Sequence, residues 1–299
     1  EENLGKISLE ANATGSGFDY KTMTAKISAR LLEGEIKKYN YKNLLLDASV
    51  AKGNAVVESS IRDPYISYLL NATADLKDKY PAVQMVLKLD TLDLYALHLI
   101  KDTLQMSGTM NADFASTNPD ALQGTLKLYN ISINSNNEKL ATDTVTLTAS
   151  KTDSAQLIIL NSEMADMEWK GTYKLTEASQ ALQHTINKYY NISGFKDTAF
   201  TAQQWQMNMH LRPSPLVLQF MPQLKGTDTI GAKISFNSKQ NDLDLSLQSP
   251  KIQFGEQAIE QLNVTATTKE KQLDYNINMN KAGSKSFQLY ETSLSGYLA

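Results

Sequence analysis

The sequence predicts an all-β protein with a few short helices, built as an elongated, curled, mostly antiparallel sheet with an apolar interior. Three observations lead there. Apolar and polar residues alternate with period two along most of the 299 residues. Short polar turns separate the alternating runs. Helical periodicity is scarce.

The runs can be taken in order. Leu44 to Ile61 reads as strand, turn and strand, with "KGN" at Lys52–Asn54 as the turn. "ATGSGF" at Ala13–Phe18 contains glycine but leads into no helix, so it reads as a turn. Asp63-Pro64 marks a break between strands. Val83, Met85, Leu87 and Leu89 alternate with Gln84, Val86, Lys88 and Asp90. Leu126 and Leu128 are followed by Tyr129, Ile131 and Ile133, a phase slip that one bulged residue would cause. "NSNNE" at Asn134–Glu138 reads as a turn. Val145, Leu147 and Ala149 alternate with threonines, and "KTDS" at Lys151–Ser154 turns the chain. Trp169, Gly171, Tyr173 and Leu175 form one apolar edge. After the turn at Asn237–Asp242, Leu243, Leu245 and Leu247 oppose Asp242, Asp244, Ser246 and Gln248. Leu273, Tyr275, Ile277 and Met279 close the series. Such strands have one greasy and one wet face, as antiparallel sheets do. Helices are expected at Asp93–Ile100, at Leu175–Tyr190 and, opened by a proline, at Ser214–Leu224.

A weak internal repeat runs through "LLLDASVAKGNAVVESSI", "VTLTASKTDSAQLIIL" and "LNVTATTKEKQLDYNI", marked by Ala48, Ala149 and Ala266. It divides the chain into units at 1–100, 101–228 (with the helix near 175–190 inserted) and 229–299, forming one continuous structure.

Composition narrows the function. Net charge is −3 and no basic stripe is present, which argues against a nucleic-acid partner. There is no cysteine, so disulfides and thiol chemistry are excluded. No run reaches the roughly 20 apolar residues of a membrane span. The chain opens on Glu1 and stops in a strand pattern, which reads as an internal piece whose anchor would lie elsewhere.

No catalytic, cofactor or metal motif emerges. His98, His184 and His210 are far apart in sequence. His98 reads as a packing or rim residue, His184 as the wet side of its helix, and His210 as alternating out of its strand. The acidic pairs Asp242/Asp244 and Asp90/Asp93 lack an inward-facing partner, as glycoside chemistry would require. The reading is of a protein that is not an enzyme.

The apolar face therefore carries the argument. Leaving one leucine-sized side chain wet forgoes about 1.5–3 kcal/mol, and net stability is only about 5–15 kcal/mol. The face must be covered by a second sheet, by closure into a barrel, or by a ligand in an open trough. A unit that can be repeated fits the trough, and an apolar trough suits acyl chains.

The run Ile61–Leu97, the run Leu104–Ile133 with Gly108, Leu122 and Gly124, and the run Leu160–Leu175 with Gly171 resemble the TamB and AsmA-like family. That resemblance implies a β-taco, a U-shaped groove with an apolar lining. It implies an internal segment of a periplasmic protein of Gram-negative bacteria, anchored in the inner membrane by a segment outside this chain. The implied work is phospholipid transfer between inner and outer membranes in support of outer-membrane biogenesis. An outer-membrane barrel partner would be engaged through a region outside this chain. A structural or chaperone-like β-templating module is the alternative. The lipid-facing candidates are Val83, Met85, Leu87, Leu89, Val145, Leu147, Leu243, Leu245, Leu247, Leu273, Tyr275, Ile277 and Met279.

Overall fold

In the computed structural model the alternating runs become eighteen strands among the described residues, which are 4–136, 138–191, 194, 196, 198–269 and 272–299. The first nine are β1 (Leu4–Ser16), β2 (Thr24–Ile36), β3 (Tyr39–Ala51), β4 (Asn54–Arg62), β5 (Ile66–Asp75), β6 (Ala82–Asp93), β7 (Gln105–Ser116), β8 (Gln123–Ser135) and β9 (Glu138–Thr142). The second nine are β10 (Val145–Lys151), β11 (Gln156–Asn161), β12 (Ala165–Thr172), β13 (Gln204–Leu211), β14 (Ile230–Asn237), β15 (Asp242–Phe254), β16 (Gln257–Lys269), β17 (Gln272–Gly283) and β18 (Gln288–Leu298). Helix α1 (Ala178–Asn187) lies between β12 and β13, and α2 (Pro215–Phe220) between β13 and β14. The all-β, antiparallel prediction holds.

Two compact units divide the chain: residues 1–118 with 122–146, and 119–121 with 147–299. In the first, β1 to β9 form a meander in which each strand pairs antiparallel with the next. In the second, β11 to β18 do the same. Among the described residues, β1 and β9 do not pair with each other, nor do β11 and β18. Each sheet is open, and neither closes into a barrel.

Turn chemistry explains the short connections. Lys52 and Gly53 both have positive φ, so the β3–β4 hairpin turns in two residues, as the twist of antiparallel strands favours. Pro64 cannot donate to a ladder and separates β4 from β5. Ser214 caps α2 by accepting from Val217 N–H, Pro215 opens the helix, and Pro222 prevents its extension.

The anticipated slip in β8 is present. Ser107 faces Ser132, but Thr109 faces Tyr129, so β8 carries one extra residue there. Asn130, at φ 54°, absorbs it. The bulge brings Ile131 and Ile133 back to the face that Leu126 and Leu128 occupy.

Four local expectations are corrected. Asp93–Ile100 is not a helix but one turn: Asp93 accepts from Leu97 N–H and caps Ala96 N–H, and His98 at φ 58° reverses the chain. One turn is too short to propagate. The strand through Trp169 stops at Thr172, so Tyr173 folds back and Leu175 lies outside the ladder. The Ala13–Phe18 segment remains in β1 through Ser16, because Ala13 and Gly15 pair with Ile27 and Ala25. The Leu175–Tyr190 helix is shorter than read, at Ala178–Asn187. The turn read at Asn134–Glu138 includes residue 137, which lies outside the described residues.

Two glycines are required by close approach. At φ 147°, Gly171 sits opposite Trp205, and a Cβ there would lie 2.3 Å from Gln204 O and 2.5 Å from Trp205 Cα. Gly124, at φ 149°, meets Phe114 in the same way. Backbone cannot swing aside as a side chain can. Gly171→Ala is therefore expected to destabilise its unit by about 1–3 kcal/mol from backbone strain alone, with the clash added. A lowered urea midpoint checks this, and an unchanged midpoint contradicts it.

Candidate functional site: one apolar face on each sheet

In an antiparallel pair, directly opposed residues project to the same face, so register shows what each face presents. Across the first sheet one such row reads Ala13, Ile27, Ala48, Val57, Ala72, Met85, Ala112, Leu126. The next reads Ala11, Ala29, Leu46, Ser59, Leu70, Leu87, Met110, Leu128. Fifteen of these sixteen residues are apolar. Seven interstrand steps of about 4.8 Å make each row roughly 34 Å long. The opposite face carries Asp47, Glu58, Lys88, Asp90 and Asp113, all exposed.

The second sheet repeats the arrangement. One row reads Ile158, Trp169, Met207, Ile234, Leu245, Ala266, Tyr275, Gly296. Another reads Leu160, Met167, Met209, Ala232, Leu247, Val264, Ile277, Leu294. A third, at one end of the strands, reads Gln156, Gly171, Trp205, Phe236, Leu243.

These faces are only partly covered. Val83, Met85, Leu87 and Leu89 are half-buried on β6, while their neighbours Gln84, Val86, Lys88 and Asp90 are exposed. Leu245, Leu247, Tyr275, Ile277 and Met279 are half-buried too, and Leu243 and Leu273 are buried. The registers bring Leu245 into line with Tyr275, and Leu247 with Ile277, through Ala266 and Val264 of β16. Val145 and Leu147, both half-buried on β10, fall on either side of the division between the units. The β6 candidates belong to the first unit.

Surface area gives an independent measure. The chain exposes 18498 Å². A compact globule of 33.2 kDa exposes about 12,600 Å², and even two separate half-sized globules together expose about 15,200 Å². The excess is what half-covered apolar faces predict.

The third row of the second sheet is the exception, and of its residues only Leu243 was among the lipid-facing candidates. Trp205 and Phe236 are 4 % and 1 % exposed, although Trp169, Met207, Ile234 and Leu245 of the adjacent row are half-buried. Tyr173 is buried at this end of the strands, and so are Ala178, Ala181 and Thr185 of helix α1. Polar contacts flanking it hold it at this end of the strands. Lys188 Nζ lies 2.6 Å from Asn241 Oδ1 in the β14–β15 turn. Glu177 accepts from Thr201 N–H at 2.6 Å and from Lys174 Nζ at 3.0 Å. Asp120 accepts from Thr176 N–H and hydroxyl. At the same end, Tyr173 stacks on Trp169 with ring centres 4.5 Å apart, and Trp169 meets Trp205 edge-on at 5.4 Å. Periodicity could have found this site only by noticing that both tryptophans share the pleat phase of Phe236.

The seat under α1 is poorly satisfied. Trp169 Nε1, Trp205 Nε1, Thr185 Oγ1 and Gln203 Oε1 are buried with no hydrogen-bond partner. Each buried orphan costs about 1–3 kcal/mol.

The histidines and carboxylates lie elsewhere. His98 is at the rim, its Nδ1 3.0 Å from Lys37 O. His184 is half-buried against the edge of Phe200, rather than on a fully wet side. His210 is exposed and bonded to Asp166. Burial pulls the Asp166 carboxyl upward, but hydrogen bonds from Arg212 and His210 outweigh it and leave its pKa below the usual value. Asp242, Asp244 and Asp90 are exposed. Among the described residues no cluster of three or more His, Asp or Glu could hold a metal, and no helix is long and apolar enough to cross a membrane.

At one end of the first sheet, Tyr39, Tyr41 and Tyr65 cluster edge-to-face, and Tyr39 donates its hydroxyl proton to Asp63. Burial, reinforced by Asp63, raises the pKa of Tyr39 and Tyr41 above 10.0, and burial raises Tyr173 to about 12. These groups bind their protons more tightly folded than unfolded. Their contribution to stability is thus complete below pH 10.0 and is lost as pH rises toward about 12 for Tyr173. A near-ultraviolet phenolate titration should show a late step above pH 10.0 that Tyr173→Phe removes in part. No change in the late step on Tyr173→Phe would contradict it. Neither a family model, nor a curated protein, nor a solved structure matches the chain.

Proposed function

We propose that each sheet's apolar face is a surface for phospholipid acyl chains, and that the chain is a segment of a periplasmic bridge that moves lipid between inner and outer membranes. The observation that carries this reading is the unbroken run of apolar side chains across consecutive strands, half-covered by the protein itself. Hydrocarbon laid along such a row removes apolar surface from water at about 25 cal/mol per Å² on both partners. The contacts are non-directional, so a chain can slide from one strand to the next without a bond being made. An acyl chain spans half of a hydrocarbon core about 30 Å thick, so a row of roughly 34 Å accommodates two end to end. The reading assigns no catalytic residue and calls for no cofactor.

Site-specific photocrosslinking in cells tests it. A photoreactive amino acid at Met85 or Leu247 is expected to capture phospholipid, whereas one at Lys88 or Ser246 is not. Equal capture on both faces, or none at Met85 and Leu247, would overturn the reading.

One observation favours the templating alternative. Strand β18 runs eleven residues without lysine or proline and, among the described residues, pairs only with β17. Such an edge can accept an added strand. That reading requires an extended outer-membrane-protein peptide to protect β18 amides from hydrogen exchange.

A further inference from the structure

We propose that α1 is a displaceable plug over an acyl-chain seat, and that hydrocarbon entering the second sheet replaces it on Trp205, Phe236 and Leu243. This rests on the reading of the sheet faces as acyl-chain surfaces. Register makes this row continuous with the rows beside it, and α1 is tied to the same end of the strands through Glu177 to Thr201 and through Lys188 to Asn241. The fully buried side chains of α1 are the small ones Ala178, Ala181 and Thr185, while Leu182 and Ile186 are only half-buried. Its attachments are polar and near the surface, at Glu177, Gln180 and Lys188.

The buried polar atoms point the same way. A permanent core pairs its buried donors and acceptors. Here two indole N–H groups, the Thr185 hydroxyl and the Gln203 carbonyl oxygen are sealed in unpaired. Lifting α1 returns Thr185 and Gln203 to water and leaves the indole donors facing the seat. Hydrocarbon whose terminus carries an ester or carboxyl oxygen would accept from them. The ligand class is therefore a lipid acyl chain with an acceptor oxygen at one end.

Two features of the sequence make the test direct. Trp169 and Trp205 are the chain's two tryptophans, so its indole fluorescence reports this seat alone. The chain has no cysteine, so introduced thiols react selectively. Phospholipid brominated on its acyl chains is added to the Lys188→Cys, Asn241→Cys variant before and after bridging the thiols with a bismaleimide. A photoreactive residue at Met85 records acyl binding on the first sheet. The expected result is quenching by brominated lipid in the unbridged protein, loss of most of it on bridging, and Met85 capture unchanged. Equal quenching before and after bridging, or no quenching while Met85 still captures lipid, overturns the plug and leaves the acyl-surface reading intact. Absence of both signals overturns both.

Discussion

A single charge on the apolar face, Leu87→Asp or Leu245→Asp, is expected to abolish acyl-chain capture at neighbouring positions while leaving expression and strand content near those of the parent. The asymmetry follows from where the charge sits. Both leucines are half-buried, so a carboxylate at either position retains access to water and the sheet can tolerate it. Acyl chains packed over the same position would seal that carboxylate from water, and an unpaired buried charge is far more costly than a lost methyl contact. Each row passes through one residue per strand, so one charge interrupts it. Lys88→Asp, one residue away on the exposed face, is expected to leave capture unchanged. The comparison is read by lipid crosslinking from Met85 or Leu247. Normal capture by Leu87→Asp and Leu245→Asp would mean that lipid does not travel on this face.

Phe236→Ala is expected to destabilise the second unit by about 3–5 kcal/mol, the largest loss of any single truncation on these faces. Phe236 lies against Trp205, with ring centres 5.2 Å apart, and is almost completely enclosed. Removing the ring leaves a cavity beside Trp205 that its enclosed surroundings fill only in part. Phe236→Leu preserves most of the volume and is expected to cost less than about 1.5 kcal/mol. Phe254, exposed on β15, provides the contrast: its alanine variant is expected to fall within about 0.5 kcal/mol of the parent. Urea unfolding followed by tryptophan fluorescence reads the second unit selectively. Equal midpoints for the Phe236 and Phe254 variants would contradict the enclosure of Phe236.

The attachment of α1 also carries a pH dependence. The Thr201 N–H and the Lys174 ammonium hold the Glu177 carboxyl below its ordinary value of 4.5. Its contribution to docking is therefore complete above pH 4.5 and is lost as pH falls through the lower folded value. Acidification is expected to loosen α1, seen as a change in tryptophan emission that Glu177→Gln displays at neutral pH.

Much of this fold was legible from alternation because a sheet with one wet face writes its burial into every second residue. Leu243, Leu245 and Leu247 declared their face without reference to any partner. Even the slip at Tyr129 was visible, since one bulged residue reverses the phase for all that follow. Local helical signals were less reliable. Asp93–Ile100 has the apolar content of a helix, but Asp93 caps the turn and His98 adopts a left-handed conformation, a choice made by the surrounding chain. The seat under α1 was least legible. Trp169, Trp205 and Phe236 come from three strands, and only the registers of β12, β13 and β14 bring them together.

The most direct test of the central claim is native mass spectrometry of the chain purified from a Gram-negative periplasm without detergent. The account predicts added masses equal to phospholipids, lost on collisional activation and absent from Leu87→Asp, Leu245→Asp protein. A bare chain, with its apolar faces buried instead against another protein, would contradict it.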